Sequence, residues 1–382
     1  MVILWYGLAP MAGALSKRYK WHTFRKRFDE LRLSPILDYN QYSRQDNAKT
    51  FRFAGGFESV TDGHTLWIRS EDLTVPVTLK NAETYLLPMQ KSGGIPEVFD
   101  PEDEAPERIR WERVSSFTEG AKVFVGGLLI CRDGQRSFIS SKENPLLVIF
   151  YDGPDHSLAT RAIRAGRDRG EYWNAITPYA LVIGALCQIL MAVTFLSRPA
   201  FRLTVIVSLI ALFVPAYPMI PPGLLFTVIY RRFAWRSRIL RAYRDLARLP
   251  LRYLASPKGQ ALKESSPLPN GELYGFVCSA ELPPQAQEGK IPLLLPEFAK
   301  AVGSGASQGN LWYIFGALRP GEKMPVQPED SFATFGILPG RPDLIARHCE
   351  LAAYMLESAA WLILIAGIGL NIFFLRMVLV LF

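Results

Sequence analysis

Between Arg231 and Arg252 the stretch RRFAWRSRILRAYRDLARLPLR carries eight arginines and one aspartate. Ile239, Leu240, Tyr243, Leu246 and Ala247 recur between the charges at helical spacing, which predicts a basic amphipathic helix. Guanidinium groups stay charged and present a rigid fork that suits phosphate oxygens. The chemistry expected of them is contact with anionic lipid headgroups. Arg231, Arg232, Arg236, Arg238 and Arg241 are the candidate contacts on this helix, and Arg161, Arg164 and Arg347 join them from two other segments. The plainer reading is that the arginines only set membrane topology. Nucleic acid is not an expected partner, because the aromatics are spaced for an apolar helix face and not for base stacking.

Other chemistry is thinly represented. The four histidines (His22, His64, His156, His348) are scattered, without a partner at helical spacing for a metal. The four cysteines (Cys131, Cys187, Cys278, Cys349) form no CxxC pair. The loop GSGASQG, Gly303 to Gly309, lacks the Lys-Ser/Thr of a phosphate loop and reads as a turn before a strand. The acidic group Asp100, Glu102, Asp103, Glu104 and Glu107 lies among prolines without the spacing of a cation loop, and reads as a solvated loop. No catalytic constellation, cofactor or metal is expected, and the chain is read as non-enzymatic.

Four apolar runs frame these residues: 1–16, 173–196, 203–230 and 358–382. Apolar residues make up 49% of the 382 residues while 20% are charged, a balance that points to membrane segments joined to water-facing domains. The expected fold class is membrane α plus β. About four transmembrane helices carry two small antiparallel β domains, barrel- or sandwich-like, in a tandem helix–β–helix repeat. The first β-rich domain spans 17–172, with period-2 runs HTLWIRS, LTVPVTLK, AKVFVGGLLICRDGQRSFIS and PLLVIFYDG. The basic helix covers 231–254, and a smaller β-rich domain covers 271–357 with LYGFVCSAEL, KIPLLLPEF, NLWYIFGALRP and FATFGILPG. The two β regions end alike: Gly127 and Leu129 align with Gly316 and Leu318, and Pro154-Asp155 with Pro342-Asp343.

The third apolar run contains FVPAYPMIPPGLL. Pro215, Pro218, Pro221, Pro222 and Gly223 mark a break in it, because proline removes a backbone donor and clashes with the preceding turn. Lys17, Arg18, Lys20, Arg25, Lys26 and Arg27 follow the first run, Arg161, Arg164, Arg167 and Arg169 precede the second, and the arginine helix follows the third. The positive-inside rule then places both β domains in the cytoplasm and both termini outside, as in a bacterial inner-membrane protein, with the third run crossing once at a broken helix.

The stretch GNLWYIFGALRPGEKMPVQPEDSFATFGILPGRPDLIARHCELAAYMLESAAWLILIAGIGLN resembles the GIDE-type domain of mitochondrial membrane-anchored RING ubiquitin ligases. The segments LTVPVTLKNAETYLL and SSFTEGAKVFVGGLLICRDGQRSFIS look similar to the same domain. The resemblance implies a membrane-adjacent β module with an interaction or regulatory role. The cysteine-rich zinc module that carries ligase activity in that family has no counterpart here, so that activity is not implied. That family's domain faces the intermembrane space, whereas the charges here place both β domains inside. The expected function is an integral membrane protein presenting β interaction modules at the membrane surface as a scaffold or sensor. Its expected partners are anionic lipid and a protein partner or a second copy. The alternatives are a transporter or channel subunit, and a lipid-modifying membrane enzyme.

Overall fold

The computed structural model describes residues 1–44, 48–71, 73–89, 106–132, 134–167, 174–213, 215, 223–254, 263–287, 291–296, 298 and 311–381. The chain divides into two compact units. One contains 1–23, 166–241 and 350–382; the other contains 24–165 and 242–349. Three helices contribute to both: α1 (Ala9–Arg32), α6 (Gly223–Arg248) and α9 (Pro342–Leu381).

The second unit holds both sheets. Among the described residues its larger sheet has eight strands: β1 (Lys49–Thr61), β2 (Thr65–Ser70), β3 (Leu73–Thr78), β4 (Glu83–Leu87), β5 (Glu107–Ile109), β6 (Lys122–Arg132), β7 (Gln135–Ile139) and β8 (Leu147–Tyr151). Their order is β1-β2-β3-β7-β6-β8-β4-β5, and β1 also pairs with β6. That extra pairing closes β1-β2-β3-β7-β6 into a ring, a small five-stranded barrel of the OB kind, with β8, β4 and β5 running on from β6. Most ladders are antiparallel, but β3–β7 and β4–β8 run parallel. Phe51, Leu66, Ile68, Val75, Val77, Val123, Val125, Leu129 and Phe138 belong to its buried core.

Strand β1 serves two neighbours because it bends. Its residues Lys49 to Gly56 pair with β6, and Gly56 to Thr61 pair with β2, with a register shift between Phe57 and Ser59. Gly55 sits at the switch. A Cβ there would meet the Arg69 carbonyl oxygen at 2.3 Å, so only glycine lets the two strands cross this closely.

The C-terminal part of α1 packs on this sheet through an i, i+4, i+7 face. Phe24 lies 4.3 Å from the ring centre of Tyr85, and Phe28 5.4 Å from that of Phe124. Leu31 packs so close to Gly126 that a Cβ there would come within 2.9 Å of its side chain.

Among the described residues the smaller sheet is four-stranded and antiparallel, in the order β12-β11-β10-β9, with β9 (Ser265–Pro267), β10 (Leu273–Ser279), β11 (Trp312–Ala317) and β12 (Gly336–Pro339). Among the described residues of KIPLLLPEF there is no strand; Leu293 makes an isolated bridge to Ile337 and covers the β12 edge. Both sheets end in a strand, a glycine of positive φ (Gly153 at 78°, Gly340 at 109°) and a Pro-Asp pair entering a helix. The helices are α3 (Leu158–Arg164), preceded by a 3-10 turn Asp155–Ser157, and α9.

The first unit is helical. It contains the π-helical turn Ile3–Leu8, the start of α1, α4 (Thr177–Leu196), α5 (Arg202–Ala211), the start of α6 and the end of α9. Glycines let its helices touch: a Cβ on Gly184 would lie 2.5 Å from the Tyr6 ring, and one on Gly367 2.6 Å from Phe226.

The expected fold of about four spans carrying two small antiparallel β domains in a tandem repeat is therefore corrected. Among the described residues, two helices are long and apolar enough to cross a membrane: Thr177–Leu196 and Pro342–Phe374 within α9. The N-terminal apolar run passes straight into the charged part of α1, which carries Lys17, Arg18 and Lys20. The run 203–230 is divided between α5 and α6. The 10 residues of α5 reach only about 15 Å, half the hydrocarbon thickness, and α6 turns basic at Arg231. A charge-free run is not the same as one continuous helix. The sheets also differ in size and pairing, one mixed with eight strands and the other antiparallel with four. Of the proline break, Pro215 and Gly223 are described and Gly223 opens α6, while Pro218, Pro221 and Pro222 lie outside the described residues.

Replacing Gly55 by alanine is expected to destabilise the barrel by about 2 kcal/mol through overpacking against the Arg69 carbonyl. Urea unfolding followed by circular dichroism checks this. A midpoint equal to that of the parent protein would remove Gly55 as the crossing point.

Candidate functional site

The eight arginines expected to meet lipid fall into three groups. Arg231, Arg232 and Arg236 are exposed on α6, and Arg347 is exposed on α9. Arg238 and Arg241 are half-buried. Arg238 donates to the carbonyls of Ala234 (3.2 Å) and Arg167 (3.4 Å) and lies 6.0 Å from the Trp235 ring centre. Arg241 is ion-paired to Glu357 and lies over the Tyr354 ring. One turn earlier on each helix, Ser237 donates to the Ala353 carbonyl at 2.9 Å. The i, i+4 spacing of Ser237 and Arg241 thus matches that of Ala353 and Glu357, and pins α6 to α9 within the first unit. Arg161 and Arg164, on α3, are buried.

The strongest concentration of buried charge lies elsewhere, between the two sheets of the second unit. Arg52, at the middle of the β1–β6 ladder, is 1% exposed, and Asp330, in the loop before β12, is 3% exposed. The two meet bidentately: Nη1 donates to Oδ1 at 3.0 Å, and Nη2 to Oδ2. Arg52 Nε donates to the Ser34 carbonyl at 2.9 Å, and Asp330 Oδ1 accepts from the Phe332 amide at 3.1 Å. The Phe332 ring lies under the Arg52 guanidinium at 5.7 Å and edge-on to Phe124 at 5.2 Å.

Arg32, at the end of α1, forms the second half of this junction and is fully buried. Its Nη1 donates to Thr334 Oγ1 at 3.0 Å. Its Nη2 donates to Asp29 Oδ1 at 3.2 Å and to the Leu249 carbonyl at 3.4 Å. The guanidinium stacks 5.1 Å from the ring centre of Tyr253, on α7 (Leu251–Leu254), and Tyr253 in turn packs 4.9 Å from Tyr274 of β10. The Tyr274 hydroxyl donates to the Thr334 carbonyl at 2.7 Å. Burial pushes both tyrosines up, Tyr274 well above its ordinary value.

Chemically this cluster is a junction. The donors of Arg52 are directed at a carboxylate and a backbone carbonyl, an arrangement that fixes geometry and offers no acid–base partner to a substrate. Its pattern in the sequence is faint. Arg52 lies between Phe51 and Phe53, where strand alternation gives it the face opposite to both. Because both faces of β1 are covered at that point, the opposite face is also interior, which a strand pattern alone does not reveal.

A third polar group sits where β4, β8 and α3 meet. Tyr151 donates its hydroxyl to Asp155 at 3.2 Å, and Lys122 reaches the same carboxylate oxygen at 2.8 Å. Burial and then the Asp155 carboxylate raise the Tyr151 hydroxyl. On β4, burial and then the Glu83 carboxylate push Tyr85 up to about 12, against the lowering effect of Arg108. Among the described residues no group of three or more His, Cys, Asp or Glu is placed to hold a metal ion. Asp100, Glu102, Asp103, Glu104 and the loop Gly303 to Gly309 lie outside the described residues, while Glu107 is exposed on β5.

Asp330→Ala leaves the Arg52 charge buried and unpaired, and is expected to destabilise the second unit by about 3–5 kcal/mol. The double replacement Arg52→Met with Asp330→Leu is expected to recover most of that loss. Chemical denaturation of the three proteins measures both numbers, and additive losses in the double variant would sink the assignment. Tyr85 keeps its proton more tightly folded than unfolded, so its contribution is complete below pH 10 and is lost as pH rises toward about 12. The difference between the parent protein and Tyr85→Phe, read as tyrosinate absorbance and as stability, should therefore change only across that alkaline window. A change centred below pH 9 would contradict it.

No family model, curated protein or solved structure matches this chain.

Proposed function

We propose that this protein is a membrane-anchored scaffold or sensor whose helical unit is held in lipid and whose β unit offers a binding surface to a protein or lipid partner. The observation that carries this reading is where exposed apolar side chains lie. Among the described residues, all the exposed large hydrophobics except Tyr39, Met89, Leu273, Leu311 and Leu344 belong to the helical unit. They include Val182, Leu186, Leu190 and Val193 on α4 and Leu362, Ile365, Ile372 and Phe373 on α9. A surface of this kind disfavours water by roughly 25 cal/mol per Å² and is typical of a lipid-facing wall. The two helices able to cross a membrane are the same two that carry most of it. Tyr230 and Trp361, 6.1 Å apart, are the residue types that favour a membrane–water interface.

Arg231, Arg232 and Arg236 follow this wall on α6 and are free to meet anionic headgroups. That both sheets belong to one compact unit supports a reading in which they share one side of the bilayer. We assign that side to the cytoplasm, since flanks rich in arginine are retained there. The resemblance to the GIDE-type domain enters only as support for a membrane-adjacent interaction module.

Membranes from expressing cells washed with alkaline carbonate should retain the full chain in the pellet; release into the supernatant would end the anchored reading. Detergent-solubilised protein titrated with short-chain phosphatidylglycerol should bind more tightly than with phosphatidylcholine. Removing three charges at ~1 kcal/mol each in Arg231→Gln, Arg232→Gln and Arg236→Gln should weaken that binding about hundred-fold. Equal affinity for the two lipids would refute the headgroup contact.

A further inference from the structure

Arg161 of α3 is 9% exposed. Its Nη1 donates to the Leu87 carbonyl at the end of β4, at 3.0 Å. Its Nε and Nη2 are fully buried and have no hydrogen-bond acceptor among the described residues. Those two nitrogens form one edge of the guanidinium, the edge that takes two oxygens of a single oxyanion in parallel. A guanidinium does not escape burial by losing its proton at neutral pH, and buried donors are seldom left without an acceptor. Among the described residues, the fork is therefore built and left unfilled.

The surrounding charges say what would fill it. The Tyr151 ring lies 5.8 Å from the guanidinium. Asp155 is already engaged by Lys122 and the Tyr151 hydroxyl. Asp152 acts on Arg161 through its charge and lies exposed in the turn beside Gly153. Met89 packs against Gly153, so the loop ends that follow β4 and β8 meet at this corner. Asp152 and Asp155 offset Arg161 and Lys122, which leaves no surplus positive charge for a doubly charged ligand, so the two directed donors of the fork are what favour a singly charged one.

We propose that Arg161 anchors a site for a singly charged phosphoryl oxyanion, held bidentately on Nε and Nη2, whose source is a phospholipid phosphodiester or free dihydrogen phosphate. The site lies in the β unit and does not rest on the membrane reading, because the free-phosphate arm of the test stands without it.

The test uses the purified full chain in neutral detergent at pH 6 and constant ionic strength. Its thermal midpoint is followed during titration with inorganic phosphate, with short-chain phosphatidylglycerol and with phosphatidylcholine. Arg161→Lys keeps the charge and loses the fork. The midpoint of the parent protein should rise with phosphate, with phosphatidylglycerol or with both, the responding arm naming the source. Arg161→Lys should lower the apparent affinity at least ten-fold. No response to either anion, or an equal response in Arg161→Lys, would overturn the site. Should Arg161→Lys fail to fold, Asp152→Asn decides: it leaves the fork intact and removes a competing charge, so binding should tighten several-fold. Unchanged or weaker binding in that variant, or a structure determined in phosphate that shows only water or the Asp152 carboxylate on the fork, would equally refute it.

Discussion

The ion pair of Arg52 and Asp330 is the constraint on which the β unit is organised. Two fully desolvated charges are stable only where geometry satisfies nearly every donor and acceptor. Here the two-pronged contact, the Ser34 carbonyl and the Phe332 amide do so. The backbone at the same residue is equally committed: the Arg52 amide donates to Pro35, and its carbonyl accepts from Leu37. The chain leaving α1, the barrel strand β1 and the loop before β12 therefore converge on one residue. A shift of register in any of them would strand a buried charge. This is how segments far apart in the chain come to form a single unit, where separate β modules were expected.

Arginine plays several parts in this fold. The residue type is abundant, and its chemistry in the sequence is uniform, yet its settings diverge. Arg32 and Arg52 are buried and bonded as parts of the frame. Arg241 is half-buried and holds α6 to α9 through Glu357. Arg231, Arg232 and Arg236 face outward. Only the last setting suits loose, salt-sensitive contact with headgroups, because exposed guanidinium groups give up little hydration on meeting phosphate. The buried settings trade that freedom for fixed geometry.

The strands show which patterns carry through to structure. Thr65–Ser70, Leu73–Thr78, Leu147–Tyr151 and Leu273–Ser279 fall inside runs whose period-2 or continuous apolar character predicts them. Strand β1 does not stand out, although it is the longest of the described strands. Its sequence KTFRFAGGFESVT places an arginine between two phenylalanines and two glycines at its centre, features that usually argue against a strand. Those same residues make the ion pair and the bend. The local rules fail where β1 serves the whole fold, since its glycines and its charge answer to neighbours distant in the chain. The apolar runs mislead in the other direction. Hydropathy counts side chains and does not see that the run 203–230 is divided between two helices.

The sequence by itself determined composition, the periodicity of most strands, the basic face of α6 and the apolar character of α4 and α9. These are properties of residues within a turn or two of one another, where propensity and spacing act directly. Only the tertiary structure decided the closing of β1 onto both β2 and β6, the union of the two sheets, and which arginines are buried. Each of these depends on what lies across the fold. A charge alternating with phenylalanine is on the surface if one face of its strand is open, and in the core if both are covered, and that difference is set by packing between distant segments.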